Sequence, residues 1–147
     1  MRHGEAASGA PDWQRPLSAT GRAAVTAMAQ RAQARGAGPA VIYHSGLLRA
    51  RQTAELVAEV LGPQLGVAEL AGLCPEDDPA IAKAELELAS QPIMLVSHLP
   101  YLGRLAGLLV GGDIDDSVVE FSPATLVCLS RRSASWQLKW SISAALD

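Results

Sequence analysis

Residues 39–62 read PAVIYHSGLLRARQTAELVAEVLG, and the change of period inside this stretch decides the fold. PAVIYHS is a short apolar run bounded by proline and glycine, which reads as a buried strand. In LLRARQTAELVAEVLG the small and apolar residues Ala50, Ala54, Val57 and Leu61 recur at helical spacing, and Gly62 ends the run. A buried strand that turns directly into an amphipathic helix is half of a βαβ unit.

The same alternation continues on both sides. Upstream, residues 17–38 (LSATGRAAVTAMAQRAQARGAG) offer Ser18 or Thr20 as an N-cap, then a run of alanine-rich helix formers, then Gly36 and Gly38 as a stop. Downstream, GVAEL at 66–70 is a weak strand. Asp78 followed by Pro79 is a strong helix start for residues 78–90, because proline at the first helical position gives up only an N–H that has no partner there. PIMLVSH at 92–98 is a continuous apolar run, expected to be a central strand, and residues 100–112 form a helix that stops on two glycines. SVVEFS (117–122) and TLVCLSRR (125–132) read as a hairpin around Ser122–Pro123–Ala124, and WQLKWSI (136–142) as a last alternating strand. The expected architecture is a three-layer α/β/α sandwich, with a mostly parallel central sheet and a C-terminal antiparallel hairpin, in one domain spanning residues 1–147.

Composition narrows the function classes. A formal net charge of −3 gives a nucleic-acid role no global support. No stretch has the length of a membrane span and the N-terminus lacks an apolar signal core, so a cytoplasmic protein without membrane contact is expected. Cys74 and Cys128 fall in no metal-ligand or redox spacing; Cys128, within TLVCLS, reads as a small buried hydrophobe. The basic residues are skewed instead. Arg2, Arg15, Arg22, Arg49 and Arg51 fall within the first 51 residues, which suits a local anion site better than a basic face.

In open α/β sheets ligands bind beyond the carboxyl ends of the strands, so the strand-to-helix corners carry the chemistry. Arg2–His3–Gly4 makes one corner, Ser45 to Arg49 a second and VSHLP, with His98, a third; Arg15 lies in the loop after the first. Arginine forks match phosphate oxygens and stay charged, and a neutral imidazole is a competent nucleophile near pH 7. Glycine after the nucleophile lets the backbone turn sharply and come close to a substrate. Phosphoryl transfer needs chiefly positioning and charge stabilisation, and this set supplies both. Singly, each residue has a blander reading: a capped strand end for His98, a loop residue for Arg15, a solvated helix face for Arg22 and Arg51, a structural role for His44.

RHGEA (2–6), SGLLRARQTA (45–54) and VSHLP (96–100), in this order and at these separations, resemble the histidine phosphatase (phosphoglycerate mutase-like) superfamily over nearly the whole chain. RPLSATG (15–21) and SHLPYLG (97–103) are similar to its branch of small phosphohistidine phosphatases. The resemblance implies that His3 carries a phosphohistidine intermediate, and that Arg2, Arg15, Arg49 and His98 form a pocket able to hold a phosphate or sulfate ion. It implies no metal and no organic cofactor, a monomer, and a phosphohistidine-bearing protein such as a phosphotransfer domain as substrate and partner. Larger members protonate the leaving group with a glutamate; here Glu5, Glu76, Asp77 and Asp78 are candidates and none is assigned. A small-molecule phosphomonoesterase on the same scaffold is the alternative, and a non-catalytic phospho-binding module ranks last because both histidines are present. Two departures stand out. Relatives carry a central strand before RHG, where only Met1 precedes Arg2 here, so that strand is expected to be cut short. Gly46 replaces the proline that usually follows the serine, which is expected to loosen that corner.

Overall fold

The computed structural model describes residues 1–143. Three parallel strands, β1 (Val41–His44), β2 (Val67–Glu69) and β3 (Ile93–Val96), lie in the order β2-β1-β3. Strand β4 (Leu126–Arg132) pairs antiparallel with β5 (Ser135–Ile142). Residues 1–3 lie between these two sheets. Arg2 bridges Ser97 in parallel register, the His3 N–H donates to Ser97 O at 3.1 Å, and the Ser97 N–H donates to Met1 O at 3.0 Å. On the other side the Arg2 N–H donates to Thr125 O and the Ala124 N–H to His3 O, both at 3.0 Å.

Two helix layers cover the sheet. Helices α1 (Ala19–Ala34) and α2 (Leu48–Leu61) pack with Ile42, Met94 and Val96 in one cluster. On the opposite face, α3 (Pro79–Leu88) and α4 (Tyr101–Ala106) pack with Leu95 and with half-buried Tyr43 and Ile93. Successive β3 residues therefore feed opposite cores, the period-2 geometry of a strand buried on both faces. The helix starts follow the sequence. Ser18 Oγ accepts from the Gly21 N–H at 2.9 Å, and Asp78 Oδ1 accepts from the Ala80 N–H at 2.9 Å with Pro79 at the first turn.

The three-layer α/β expectation agrees with this architecture, but the hairpin is shifted. Residues 117–122 form no strand; the hairpin is β4–β5, turning at Ser133, whose φ is +58°. The 117–125 stretch is spent on the first corner instead. Phe121 O accepts from Arg2 Nη1 at 2.8 Å, and Thr125 O and the Ala124 N–H bond to residues 2 and 3. Cys128 is half-buried and, like Cys74, unbridged.

Ile42 is wholly buried at the centre of the first cluster, whereas Leu88 is exposed. Ile42→Ala is expected to cost about 2–5 kcal/mol, as transfer and cavity terms add, seen as a Tm fall of about 2–4 °C per kcal/mol. Leu88→Ala is expected to stay within about 0.5 kcal/mol. Thermal denaturation of both variants checks the layer assignment, and equal effects would contradict it.

Candidate active site

The carboxyl ends of β3, β1 and the 1–3 segment converge on a cleft of about 340 Å³. Arg2, His3, Arg15, Arg49 and His98 all line it. The register explains the convergence. His44 lies beside Val96 and Arg2 beside Ser97, so the residues just beyond, Ser45, His98 and His3, emerge from three adjacent strand ends. The His3 and His98 rings face each other with centroids 4.9 Å apart, tilted by 52°.

His3 Nδ1 lies 2.7 Å from Gly4 O. A carbonyl only accepts, so Nδ1 carries the proton and Nε2 keeps its lone pair. Gly4 is needed for close approach rather than for a special φ. A Cβ there would fall 2.7 Å from Val25 Cγ2 and 3.1 Å from Gly21 O, so only glycine lets the corner press onto α1. The Gly4 N–H donates to Thr53 Oγ1, and Thr53 in turn donates to Arg49 O, which ties the corner to the first turns of α2.

Arg49 is buried, with 7% of its surface exposed, and projects from the start of α2. Arg2 Nη1 is anchored on Phe121 O and Arg15 Nε donates to Ala7 O at 3.0 Å. Arg2 Nε and His98 Nδ1 are buried and make no hydrogen bond among the described residues. Both residues belong to the lining of one cleft, and an unpartnered buried polar atom in such a place marks a group without its usual hydrogen bond. Burial pushes the His3 imidazole down to about 4 despite its bond to Gly4 O, and Arg49, Arg2 and Arg15 add to the shift. His98 is driven to about 3 by burial first, then by His3 and Arg49. Both rings are therefore neutral at pH 7, one with a nucleophilic lone pair beside a cluster of guanidinium groups.

Sequence reading missed Asp12. It lies in the short 3-10 turn Asp12–Gln14 and pairs with two of the cleft's arginines, with Oδ1 3.6 Å from Arg15 Nη1 and Oδ2 3.4 Å from Arg49 Nη2. Its main-chain O accepts from Arg49 Nη1 at 2.8 Å. No motif marks it; its loop only becomes relevant once Arg15 and Arg49 are seen side by side. Of the carboxylates singled out from sequence, Glu5 lines the cleft and accepts from Ser18 Oγ at 3.0 Å. Glu76 pairs with Arg104 at 3.3 Å, Asp77 accepts from the Cys74 N–H and Asp78 caps α3, so the structure does not bring these three into the cleft. Arg51 pairs with Glu55 on the exposed face of α2, and Arg22 is exposed on α1.

The Gly46 corner is not loosened. Its φ is +94°, closed to proline, and its N–H donates to His44 Nδ1 at 3.0 Å, a bond proline cannot make. His44 is thus a turn-closing residue.

A family model described as the histidine phosphatase superfamily (branch 1) matches residues 1–74, which hold Arg2, His3, Arg15 and Arg49. The chain belongs to the histidine phosphatase superfamily. Membership makes it a phosphatase. It is similar to a solved protein histidine phosphatase SixA complexed with tungstate, with 28% identity and a TM-score of 0.87 over 98% of this chain and 94% of that one. An uncharacterized protein of Picosynechococcus sp. is 39% identical over 120 residues, which are 76% of this chain and 72% of the relative. A mycobacterial glucosyl-3-phosphoglycerate phosphatase in complex with inorganic phosphate shares the fold, with 20% identity and a TM-score of 0.76 over 99% and 97% of the two chains. Among the described residues no helix is long and apolar enough to cross a membrane.

Two outcomes are expected at this site. Asp12→Ala removes an anion that competes for Arg15 and Arg49. Ion pairs to an exposed carboxylate are worth about 0.2–1 kcal/mol each, so loss of both should let calorimetry show inorganic phosphate binding roughly two- to thirtyfold tighter; unchanged or weaker binding would mean Asp12 does not contest the arginines. The second concerns pH. The folded-state values of His3 and His98 lie below the unfolded value of about 6.5, so the unfolded chain binds more protons in the window between. Stability is therefore expected to fall as pH drops from about 6.5 toward 4. In NMR titrations the His3 and His98 ring signals should stay flat from pH 8 to 5.5, and a midpoint near 6.5 for either would contradict the burial argument.

Proposed function

We propose that this phosphatase hydrolyses phosphohistidine on a protein through a phosphohistidine intermediate at His3. In this reading Arg2, Arg15 and Arg49 hold the phosphoryl oxygens, and His98 donates to one of them as charge shifts outward. His3 Nε2 attacks phosphorus in line as the P–N bond to the substrate imidazole breaks; the substrate ring, protonated on its other nitrogen, leaves as a neutral imidazole, and phospho-His3 keeps its Nδ1 proton. Water then attacks phospho-His3, releasing inorganic phosphate and restoring the neutral ring. Arginine forks suit this chemistry because they stabilise charge spread over three equatorial oxygens without reorganising.

The observation that supports a protein substrate is the composition of the cleft beyond its phosphate-facing groups. Apart from the three arginines and two histidines, the lining is Glu5, Ala6, Pro75, Leu99 and Pro123. Such a rim offers almost nothing to hydrogen-bond the hydroxyls of a sugar or a glycerate. It can lie flat against a protein surface, and Leu99, 40% exposed, presents apolar area on that rim. Imidazole is also a far better leaving group than an alkoxide, so a dedicated carboxylic acid is less necessary. The likeness to SixA, at 28% identity, points the same way.

The test is a side-by-side kcat/KM comparison of a phosphorylated histidine phosphotransfer domain with a sugar phosphate and phosphoglycerate. The protein substrate is expected to be preferred at least roughly tenfold, equivalent to about 1.4 kcal/mol of transition-state stabilisation. The trapped enzyme label should be lost in acid, retained in alkali and absent from His3→Ala. Equal or better rates on a small ester would replace this reading with a small-molecule phosphomonoesterase, and an acid-stable label would remove the His3 mechanism.

A further inference from the structure

Ser45 touches His98. Its Oγ lies 2.6 Å from His98 Nε2, and both residues are buried. The two are 53 positions apart in sequence and meet because they leave the carboxyl ends of adjacent parallel strands, β1 and β3. The hydrogen count at this contact has one solution that satisfies the Ser45 hydroxyl both as acceptor and as donor. The Leu47 N–H donates to Ser45 Oγ at 3.3 Å, and a backbone N–H can only donate. If His98 Nε2–H also donated to Oγ, the Ser45 hydroxyl hydrogen would have no acceptor in a buried place. His98 Nδ1 would then be a bare lone pair in a cleft built for an oxyanion, and would repel it. If Ser45 O–H donates to Nε2 instead, the hydroxyl accepts once and donates once. His98 then carries its proton on Nδ1, the atom that is buried and makes no hydrogen bond among the described residues.

We propose that Ser45 is a positioning residue that fixes neutral His98 as its Nδ1–H tautomer, so that Nδ1 serves as a hydrogen-bond donor to the phosphoryl group. The kinetic part of this inference rests on the function proposed above; the tautomer does not. The neutral state it requires follows from the burial of His98 beside His3, Arg2 and Arg49, with Asp12 the one opposing charge.

The test uses the full chain labelled with nitrogen-15, and long-range proton–nitrogen correlations at pH 7. In the parent, His98 Nδ1 is expected to be pyrrole-like and Nε2 pyridine-like. In Ser45→Ala the Nε2–H form should gain population, and kcat should fall about 10–100-fold, the loss typical when the partner that orients a functional histidine is removed. Ser45→Thr keeps the hydroxyl and should restore the parent tautomer and most of the rate. A pyrrole-like Nε2 in the parent would overturn the proposal, and that single spectrum decides even if Ser45→Ala does not fold. An unchanged His98 tautomer in folded Ser45→Ala would also overturn it. If the tautomer is as expected but phosphohistidine is not hydrolysed, the proposed function fails and the role of Ser45 in setting the ring stands.

Discussion

The arrangement depends on three residues of backbone. Met1 to His3 run parallel to β3, with Arg2 beside Ser97 and the His3 N–H on Ser97 O, and on their other side they bond to residues 124 and 125. That pairing joins the parallel sheet to the β4–β5 hairpin. It also places His3 level with His98, because both follow the last paired residues of neighbouring strands. A slip of one residue in a strand turns each side chain to the opposite face. It would send His3 toward a helix layer and leave Arg2 in its place. The site is therefore a consequence of register before it is a consequence of any side-chain contact.

A second constraint is electrostatic. Burial disfavours protonation of the His3 imidazole, and the three arginines beside it disfavour it further. For a proton-binding role this would be a defect. For a nucleophile it is useful, since the lone pair is present at all pH values where the phosphate is well ionised. The cost falls on stability in mild acid, where the unfolded chain takes up protons that the folded chain refuses. Asp12 offsets part of the guanidinium charge through its pairs with Arg15 and Arg49. It is exposed, so solvent screens that contribution, and an arriving phosphate with more charge and more oxygens is the better ligand for the same arginines.

Much of this was legible in the sequence, for physical reasons that differ by residue. The strand-to-helix switch at 39–62 is local and strongly periodic, and it fixed the class of fold. Arg2, His3, Arg49 and His98 stand at such switches, where α/β sheets place ligands, so the corners could be read before their geometry was known. Arg15 was legible only with RPLSATG around it. The hairpin was misplaced because SVVEFS has strand-like residues whose main-chain partners are not a strand. Phe121 O is taken by an arginine 119 positions away, which no local pattern reports. Gly46 misled in the same way: seen as a lost proline it suggested a looser turn, but φ +94° and the bond to His44 make it a different, well-held turn. Asp12 was not selected because no motif marks its loop and Arg49 is remote in sequence, and Ser45, although placed at the second corner, was given no role because its partner His98 lies 53 positions away.

The two histidines illustrate how backbone can assign chemistry to identical side chains. His3 meets a carbonyl, Gly4 O, which must accept; its proton is held on Nδ1 and its lone pair is exposed on Nε2. His98 meets a hydroxyl, which can do either, so the deciding vote belongs to the next group along, the Leu47 N–H at the start of α2. By that chain of donors both rings carry their proton on Nδ1, yet the consequences are opposite. In His3 the protonated nitrogen faces the protein and the bare nitrogen is left to react. In His98 the bare nitrogen faces the protein, and the protonated one is left to donate. In the proposed mechanism one ring serves as nucleophile and the other as donor because neighbouring parallel strands present them to different polar partners, and neither assignment needs a carboxylate.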